Sequence, residues 1–327
     1  MAHCRSLTAG ATMEGMREKR FRAMGSDCHL VIVGGAPDAL DAGRARVDQL
    51  EQRWSRFLPG SEISRLNALA GHAVAVSADT VALVERAVEA WRFTGGTFDP
   101  TVLGDMLRAG YDRTFDEVRE RPGSGVSDLF VACTDIEIDG DAVRLPEGTG
   151  FDPGGIGKGL AADLVVTELM QSGADGVCMN MGGDVRVAGV GPDGASWTVG
   201  VEHPRVAVPL VVVGVANGAV ATSTTLRRRW EVDGEPRHHL IDPRTGEPAL
   251  TDLELVTVIG GEAWSAEVLA KAVLIRGGAH PFDLVEGTGA HALVVADDGV
   301  VRVSAGFASF VVGSLIPDHL PTPSRGT

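Results

Sequence analysis

The thirteen residues Phe151-Asp-Pro-Gly-Gly-Ile-Gly-Lys-Gly-Leu-Ala-Ala-Asp163 contain four glycines, one lysine and two aspartates, and a run of helical character follows them. Glycine has no Cβ atom, so a backbone rich in it can approach a ligand closely. A helix that begins in such a loop directs free N–H groups toward an anion. The stretch therefore predicts a helix that ends near Ser172, with a phosphate-bearing ligand at its start.

Two familiar phosphate-binding motifs do not fit this loop. If the Gly-Lys pair of a P-loop is aligned on Gly157 and Lys158, Asp152 stands where the first glycine belongs and Gly159 where the hydroxyl belongs. A Rossmann fingerprint needs a strand that leads directly into it, and Asp152-Pro-Gly154 is a turn instead. A tight turn before a glycine-rich helix start is the remaining alternative to a ligand site.

The composition is that of a globular protein, with 44% hydrophobic and 22% charged residues among 327. The net charge is −15, and no stretch clusters five or more Lys or Arg, so nucleic acid and anionic membranes are not expected as partners. An acidic protein repels an anionic ligand, and a phosphate site therefore requires local donors or a bound cation. Four scattered cysteines without a CxxC pair favour a reduced, cytoplasmic protein, and no apolar run is long enough to span a membrane.

Strand and helix patterns follow one another irregularly, which favours an α+β fold with mixed or antiparallel sheets over strict βαβ alternation. The Asp139-Gly-Asp141 turn between two short alternating segments predicts a β-hairpin. Further strands are predicted at 28–33, 176–180, 184–190, 197–202, 209–216, 291–296 and 300–303, and helices at 38–56, 81–93 and 264–275. No linker is evident, so we expect one domain over residues 21–315, between a flexible extension at 1–20 and a flexible tail at 316–327.

Several other loops combine glycine or hydroxyl residues with charged or aromatic ones. They are Thr94-Gly-Gly-Thr-Phe-Asp-Pro-Thr101, Asn180-Met-Gly-Gly-Asp184, His238-His-Leu-Ile-Asp-Pro-Arg-Thr-Gly246 and Ala221-Thr-Ser-Thr-Thr225, the last followed by three arginines. Each of them taken alone is at least as well explained by ordinary turn or surface chemistry. Their joint order along the chain carries more information than any one of them.

Eight segments in this order make the sequence resemble the ApbE family, the flavin transferases called FAD:protein FMN transferases. The segments are Met24-Gly-Ser26, Ser64-Arg-Leu-Asn67, Thr97-Phe-Asp-Pro-Thr101, Asp152-Pro-Gly-Gly-Ile-Gly-Lys-Gly159 with Asp163, Asn180-Met-Gly-Gly-Asp184, Ala221-Thr-Ser223, His239-Leu-Ile-Asp-Pro-Arg-Thr-Gly246 and the helix from Ala266 to Ala272. The similarity spans roughly residues 20 to 312.

The resemblance implies an α+β fold of two interlocked halves that form an FAD cleft. It implies a transferase that uses Mg²⁺ to split the pyrophosphate of FAD, passes FMN to a Thr or Ser hydroxyl of an acceptor flavoprotein and releases AMP. In that chemistry the glycine loops would supply backbone N–H groups and Lys158 a positive charge. His239 or a nearby carboxylate would be the base for the hydroxyl.

The resemblance also implies which residues form the site, at the positions of this sequence that match the family's motifs. The catalytic residues are His239, Glu267 and Lys271, and the metal ligands are Gly157 and Glu267. The FAD-binding residues are Met24, Gly25, Asp99, Gly155, Lys158, Asp163, Gly182, Gly183, Asp184, Ser223, His239 and Asp242.

The late helix departs from the family pattern Asp-x-x-x-Thr, whose two side-chain oxygens bind the metal. Here the matching residues are Glu267 and Lys271, and a charged ammonium cannot coordinate Mg²⁺. One hypothesis is that Lys271, paired with Glu267, acts as a built-in cation beside the FAD phosphates. The other is that Mg²⁺ binds Glu267, a carbonyl near Gly157 and water, with Lys271 turned away.

Two classes of function follow from this departure. The first is an enzyme, either the FMN transferase or a related FAD pyrophosphate hydrolase. The second is an FAD-binding protein that delivers or stores flavin with little catalysis. The expected partners are FAD and a cytoplasmic acceptor flavoprotein with a Thr or Ser site, and the expected state is a monomer or a homodimer.

Overall fold

The computed structural model describes residues 2–4, 15–120, 127–131, 133–205, 208–232 and 234–313. The chain divides into two compact units. The first comprises Met1–Val47, Lys158–Thr224 and Thr251–Thr327, and the second comprises Asp48–Gly157 and Thr225–Leu250. No helix in the described part of the chain has both the length and the apolar character needed to cross a membrane.

The strands are short and numerous. In chain order they are β1 Ala2–Cys4, β2 Met16–Ala23, β3 Ser26–Gly34, β4 Ala73–Ala75, β5 Glu137–Asp139, β6 Ala142–Arg144, β7 Ala174–Met181, β8 Asp184–Gly189, β9 Trp197–Glu202, β10 Pro209–Val215, β11 Gly218–Thr224, β12 Arg229–Val232, β13 Glu235–His238, β14 Ile241–Asp242, β15 Glu247–Pro248, β16 Leu253–Gly260, β17 His291–Ala296, β18 Val301–Val303 and β19 Val311–Gly313.

The α-helices are distributed between the strands. They are α1 Ala39–Trp54, α2 Glu62–Ala68, α3 Ala78–Phe93, α4 Leu103–Arg108, α5 Phe115–Glu120, α6 Gly157–Gln171 and α7 Ala263–Arg276. Three short 3₁₀ turns lie at Cys133–Asp135, Pro153–Gly155 and Phe307–Phe310. The α+β class predicted from the sequence is confirmed.

The first unit is built on an eight-stranded sheet in the order β18-β17-β16-β11-β8-β7-β3-β2, in which every neighbouring pair is antiparallel. A four-stranded antiparallel sheet, β1-β9-β10-β19, accompanies it. Valines of both sheets, together with Trp197 and Phe307, form one buried cluster. Helix α7 packs on β11 and β16. These central strands are buried on both faces, which explains their nearly continuous apolar sequences.

The second unit contains helices α2 to α5 and three small antiparallel sheets: β4-β6-β5, β12-β13 and β14-β15. Its aromatic core places Tyr111 against Phe57, Phe115 and Trp230. The indole N–H of Trp230 donates to the Ala109 carbonyl at 2.7 Å. This bond satisfies the polar atom of a large buried side chain.

The predicted hairpin at Asp139-Gly-Asp141 is confirmed, since β5 and β6 pair across a turn in which Gly140 has a φ of +61°. The predicted helix after the glycine loop is also confirmed, as α6. The strand β16 was not predicted, because Glu254 interrupts its apolar pattern. This carboxylate is buried but paired with Arg205, whose Nε lies 2.9 Å from Glu254 Oε2.

The expectation of a flexible extension over residues 1–20 is wrong for residues 16–20. These residues belong to β2, which pairs with β3 from Met16↔Val33 to Ala23↔Ser26. The charged composition of this segment fits an edge strand, because backbone hydrogen bonds hold it while its side chains meet water. Ala2–Cys4 also pairs, with β9. Residues 5–14 and the predicted tail at 316–327 lie outside the described residues.

Candidate active site

Four charged side chains of the first unit, Lys158, Asp184, Glu267 and Lys271, meet in what we call the lysine–carboxylate cluster. Lys158 Nζ pairs with both Asp184 and Glu267, and Lys271 Nζ lies 2.8 Å from Glu267 Oε1. The Glu267 side chain is fully buried, and each lysine side chain is 12% exposed. The two ammoniums balance the two carboxylates, and this pairing is what makes the burial of four charges tolerable.

Helices α6 and α7 position this cluster by capping one another. The N–H of Gly159, in the first turn of α6, donates to Glu267 Oε2 at 2.8 Å. Asp163 of α6 in turn accepts from the N–H groups of Ala263 and Trp264, the first two residues of α7, each at 2.9 Å. Each helix start thus receives a carboxylate from the other helix, which satisfies N–H groups that a helix leaves unbonded and favours its dipole.

The two helix starts can approach so closely because residue 159 is glycine. A Cβ atom there would lie 2.5 Å from the Ala263 carbonyl oxygen and 2.7 Å from the Trp264 Cα. Both of those atoms belong to the backbone, so no side-chain rotation could relieve the overlap. Arg186 completes the junction, with its Nε 3.0 Å from Asp163 Oδ1.

Burial and pairing shift the pKa values of these groups in different directions. Burial by itself raises the pKa of Glu267, but the charges and hydrogen bonds of Lys158 and Lys271 outweigh it and lower that pKa to about 2. For Asp184, burial and repulsion from Glu267 raise the pKa. Burial also lowers the pKa of Lys271, against the attraction of Glu267. Glu267 is therefore the permanent anion of the cluster at neutral pH.

For Asp163, in contrast to Glu267, the effect of burial on the pKa outweighs the effects of its hydrogen-bond and charge partners. Burial raises the pKa of its carboxyl to about 6, although the amides of Ala263 and Trp264 and the charge of Arg186 act to lower it. The role that the structure supports for Asp163 is to hold the start of α7, and hence the helix that carries Glu267 and Lys271.

Two predicted loops of the first unit lie side by side. The Met24-Gly25 turn joins β2 to β3, and both residues have positive φ angles. The Gly182 N–H donates to the Asp27 carbonyl at 3.0 Å, and a Cβ at Gly182 would come within 2.7 Å of the Ser26 side chain. Ser223, near the end of β11, is buried.

Several glycine-loop amides already donate within the protein. The Gly183 N–H bonds to Asn180 Oδ1 at 2.8 Å, and the Gly154 N–H bonds to Asp152 Oδ1 at 2.7 Å. The Gly159 and Gly182 amides are bonded as described above. These four amides therefore have acceptors within the protein, and the binding of a phosphate by N–H groups of the glycine loops stays a prediction. The lysines remain as the predicted source of positive charge.

The other predicted residues belong to the second unit. Asp99 is buried and accepts from the Thr101 N–H at 2.7 Å, and burial raises the pKa of its carboxyl. Asp242 is bonded to Arg244, which lowers its pKa. His239 directly follows β13 and is half-buried. Gly155 ends a 3₁₀ turn, and Gly157 begins α6.

Two positioning residues of the second unit were not among the predicted site residues. Arg56 lies with its guanidinium 4.2 Å from the Phe57 ring centre and 4.9 Å from that of Tyr111, and its Nε is 3.2 Å from Asp152 Oδ2. Asn67 exchanges two hydrogen bonds with the backbone of Phe151, where the glycine loop begins. The motif Ser64-Arg-Leu-Asn67 contained a signal for Asn67, whereas no local pattern marks Arg56.

The donor set around Glu267 does not fit the divalent cation that the resemblance implies. Oε1 accepts from both ammoniums, and Oε2 accepts from the Gly159 N–H. Mg²⁺ needs oxygen ligands in octahedral geometry, and an ammonium supplies none. Within the described residues, no group of three or more His, Cys, Asp or Glu could hold a metal ion. The hypothesis in which Mg²⁺ binds Glu267 required Lys271 to turn away from Glu267. In the structure Lys271 Nζ donates to Glu267 Oε1 instead.

The α+β fold brings Lys158, at the start of α6, and Lys271, in the middle of α7, to one buried carboxylate, and ammonium groups are suitable donors to phosphate oxygens. The family model described as "ApbE family" matches residues 24–294. The chain therefore belongs to the ApbE family.

Two relatives named FAD:protein FMN transferase align with most of the chain. The FAD:protein FMN transferase of Treponema pallidum is 30% identical over 295 residues, which are 84% of this chain and 81% of that protein. The FAD:protein FMN transferase of Vibrio cholerae is 26% identical over 283 residues, 83% of this chain and 81% of that protein.

Solved structures agree with the fold. The ApbE protein of Thermotoga maritima superposes with a TM-score of 0.78 at 26% identity, over 90% of this chain and 99% of that one. The apo form of the flavinyl transferase ApbE from Pseudomonas stutzeri gives a TM-score of 0.78 at 25% identity, over 92% of this chain and 98% of that one.

Proposed function

We propose that this protein is an FAD:protein FMN transferase. It would cleave the pyrophosphate of FAD, transfer FMN to a Thr or Ser hydroxyl of an acceptor flavoprotein and release AMP. Family membership and the relatives of that name, matched over most of their length, support the activity. The structural observation that carries the proposal is the lysine–carboxylate cluster, which concentrates two ammoniums at one point of a protein with a net charge of −15.

In the proposed reaction the acceptor hydroxyl oxygen forms a bond to the phosphorus of the FMN half. The bond between that phosphorus and the bridging oxygen breaks, and AMP leaves with this oxygen. The hydroxyl proton passes to a base, for which we propose His239. Such a transfer depends mainly on positioning and on stabilisation of charge on the phosphate oxygens. Lys158 and Lys271 would supply the positive charge, and Glu267 would hold both ammoniums in place.

We keep the other residues assigned from the resemblance as proposed FAD contacts. They are Met24, Gly25, Asp99, Gly155, Gly182, Gly183, Asp184, Ser223 and Asp242. Asp163 is better explained as a positioning residue, because both its oxygens accept hydrogen bonds from the first residues of α7. Gly157 and Glu267 as metal ligands, and Mg²⁺ itself, are not part of the proposal, since the donors on Glu267 do not fit a cation.

The test is to incubate the purified protein with FAD and a flavoprotein domain that carries an acceptor threonine. We expect release of AMP, measured by chromatography, together with flavin fluorescence that stays on the acceptor in a denaturing gel. The matched control is the same acceptor with that threonine changed to valine, which should stay unlabelled. Tight FAD binding without AMP would contradict the transferase and support flavin delivery. AMP with free FMN and no labelled acceptor would support the hydrolase.

The cellular site of the reaction is a separate proposal. The four cysteines are scattered along the sequence without a CxxC pair, and Cys28, Cys133 and Cys178 are buried, which supports a protein that works among reduced thiols. We propose a cytoplasmic acceptor, and recovery of the native protein from an extracytoplasmic fraction would contradict it.

A further inference from the structure

The first observation is the saturation of Glu267. Its side chain is fully buried and accepts hydrogen bonds from Lys158, Lys271 and the Gly159 N–H. A cation that bound this carboxylate would have to displace an ammonium or a helix amide. Displacing the amide would uncap α6, since Glu267 is the acceptor at that helix start.

The second observation is the place of Lys271. It stands one turn after Glu267 on α7, so the two side chains share a helix face. The start of that helix is fixed by both oxygens of Asp163. Within the described residues, Glu267 Oε1 is the one hydrogen-bond partner of Lys271 Nζ, so two of its three N–H donors are available to a bound phosphate.

The third observation is the charge balance. Lys158 and Lys271 neutralise Asp184 and Glu267 without a metal ion. A divalent cation added beside two ammoniums would meet repulsion in a poorly solvated place, where electrostatic interactions are strong. The four charges of the cluster therefore balance one another, and the cluster needs no metal ion for neutrality.

We propose that Lys271 takes the place of a divalent cation in this protein, so that FAD pyrophosphate cleavage proceeds without a bound metal. The inference rests on the proposed transferase function. The Lys271 ammonium donates to phosphate oxygens, and the positive charges of Lys271 and Lys158 offset the charge that grows on AMP as the bridging bond breaks. Bond changes and proton transfer are those given above, and no further reactant is needed.

The activity test compares the wild type with Lys271→Thr and Lys271→Met, each in EDTA and in MgCl₂. We expect the wild-type rate of AMP release to change less than about twofold between the two conditions, because the part of the chain that the structure describes offers no oxygen ligand set for Mg²⁺ at Glu267. Both variants should lose at least about a hundredfold in EDTA, as expected when a charge-stabilising donor is removed. Mg²⁺ should restore Lys271→Thr, which gains an oxygen ligand, and not Lys271→Met.

The matched control is Lys19→Met. Lys19 pairs with Asp41 at the surface of the same unit and takes no part in the cluster. This variant should behave as the wild type in both conditions. Thermal unfolding with and without FAD identifies any variant that has lost its fold.

The second test measures metal binding and does not depend on catalysis. Mn²⁺ is titrated into the protein with FAD, and the free ion is followed by electron paramagnetic resonance. We expect the wild type to bind no more Mn²⁺ than FAD does alone and Lys271→Thr to bind about one more ion per chain, as an added oxygen ligand beside Glu267 allows.

Wild-type activity that disappears in EDTA and returns with Mg²⁺ would overturn the inference and leave the transferase intact. One tightly bound Mn²⁺ in the wild type that is lost in Glu267→Gln would also overturn it. A wild type that releases no AMP in either condition would contradict the proposed function. In that event the Mn²⁺ titration still decides whether Lys271 occupies the place of a cation.

Discussion

Gly159 shows how a single missing side chain determines where the charged residues lie. Its Cα faces the backbone of Ala263 and Trp264, so the starts of α6 and α7 meet at van der Waals distance. This contact brings the Gly159 N–H to Glu267. The neighbouring Lys158 reaches the same carboxylate from the same helical turn.

We expect Gly159→Ala to lower the free energy of unfolding by about 2 kcal/mol, because the added Cβ overlaps fixed backbone atoms. It should also weaken FAD binding, since α7 must shift. Urea denaturation and flavin fluorescence titration measure the two effects. The control is Gly261→Ala, where a Cβ meets nothing within 4 Å. Equal stabilities of the two variants would show that the contact is not tight.

Arg56, in the second unit, is a second residue whose exact side-chain shape determines several contacts. Its side chain is 6% exposed, pairs with Asp152, stacks near Phe57 and Tyr111, and donates to the Tyr111 carbonyl at 2.9 Å. A lysine keeps the charge but has no planar group that could make these contacts together.

We therefore expect Arg56→Lys to destabilise the protein by about 1 to 3 kcal/mol, in the usual range for a disrupted buried network. Urea denaturation measures the change. Arg86→Lys is the matched control, because Arg86 makes an exposed pair with Glu89 and should stay within about 0.5 kcal/mol of the wild type. A loss equally small for Arg56→Lys would mean that the stacked arrangement contributes little.

Mutual capping is the feature that joins α6 and α7. Neither helix has a capping side chain of its own at the N–H groups in question, and each receives a carboxylate from the other. A capping interaction is worth about 1 kcal/mol. Because the caps are reciprocal, loss of one is expected to loosen the other helix start as well.

The raised pKa of Asp163 predicts how this junction responds to pH. The carboxyl has a pKa of about 6 in the folded protein, against an ordinary value of 3.8. Between these values the folded protein holds a proton that the unfolded chain has lost, so stability falls as pH rises. Relative to Asp163→Asn, the free energy of unfolding of the wild type should fall by on the order of 2 kcal/mol between about pH 4 and pH 6.

Urea denaturation of both proteins at several pH values is the measurement. Asparagine keeps the shape and an acceptor but does not titrate, so the difference between the two curves isolates Asp163. A difference that rises with pH over this interval would show that the amides and Arg186 dominate over burial, and that the carboxyl is charged throughout.

Prediction from sequence succeeded best for elements whose signal is local. The helix α6 follows from its glycine start and apolar run, and the β5–β6 hairpin follows from its turn. Strand β2 has a charged sequence whose order comes from pairing with β3, and β16 contains Glu254, which is tolerated because Arg205 neutralises it. Both strands were missed because their stabilising partners lie elsewhere in the chain.

The charge of the whole molecule predicts the kinetics of FAD binding. With a net charge of −15, the long-range field of the protein repels the anionic pyrophosphate, while the positive groups of the cluster are paired and act at short range. Salt screens this long-range repulsion, and the screening length becomes shorter as the ionic strength rises.

We expect the association rate constant for FAD to rise severalfold between about 20 mM and 200 mM NaCl, opposite to the usual behaviour of electrostatically steered binding. Stopped-flow flavin fluorescence measures the rate. Riboflavin, which lacks phosphate, is the control and should show little dependence. A rate that falls with salt would mean that local lysines steer the ligand despite the overall charge.

Periodicity, turn residues and the order of motifs were sufficient to identify the family, the α+β class and the helix after the glycine loop. These properties reside in neighbouring residues, whose chemistry acts through the local backbone. The lysine–carboxylate cluster is of another kind, since Lys158 and Glu267 are 109 positions apart and have no shared local pattern. Folding brings α6 against α7, and Glu267 then pairs with two ammoniums, because a buried carboxylate that stays charged needs positive charge beside it.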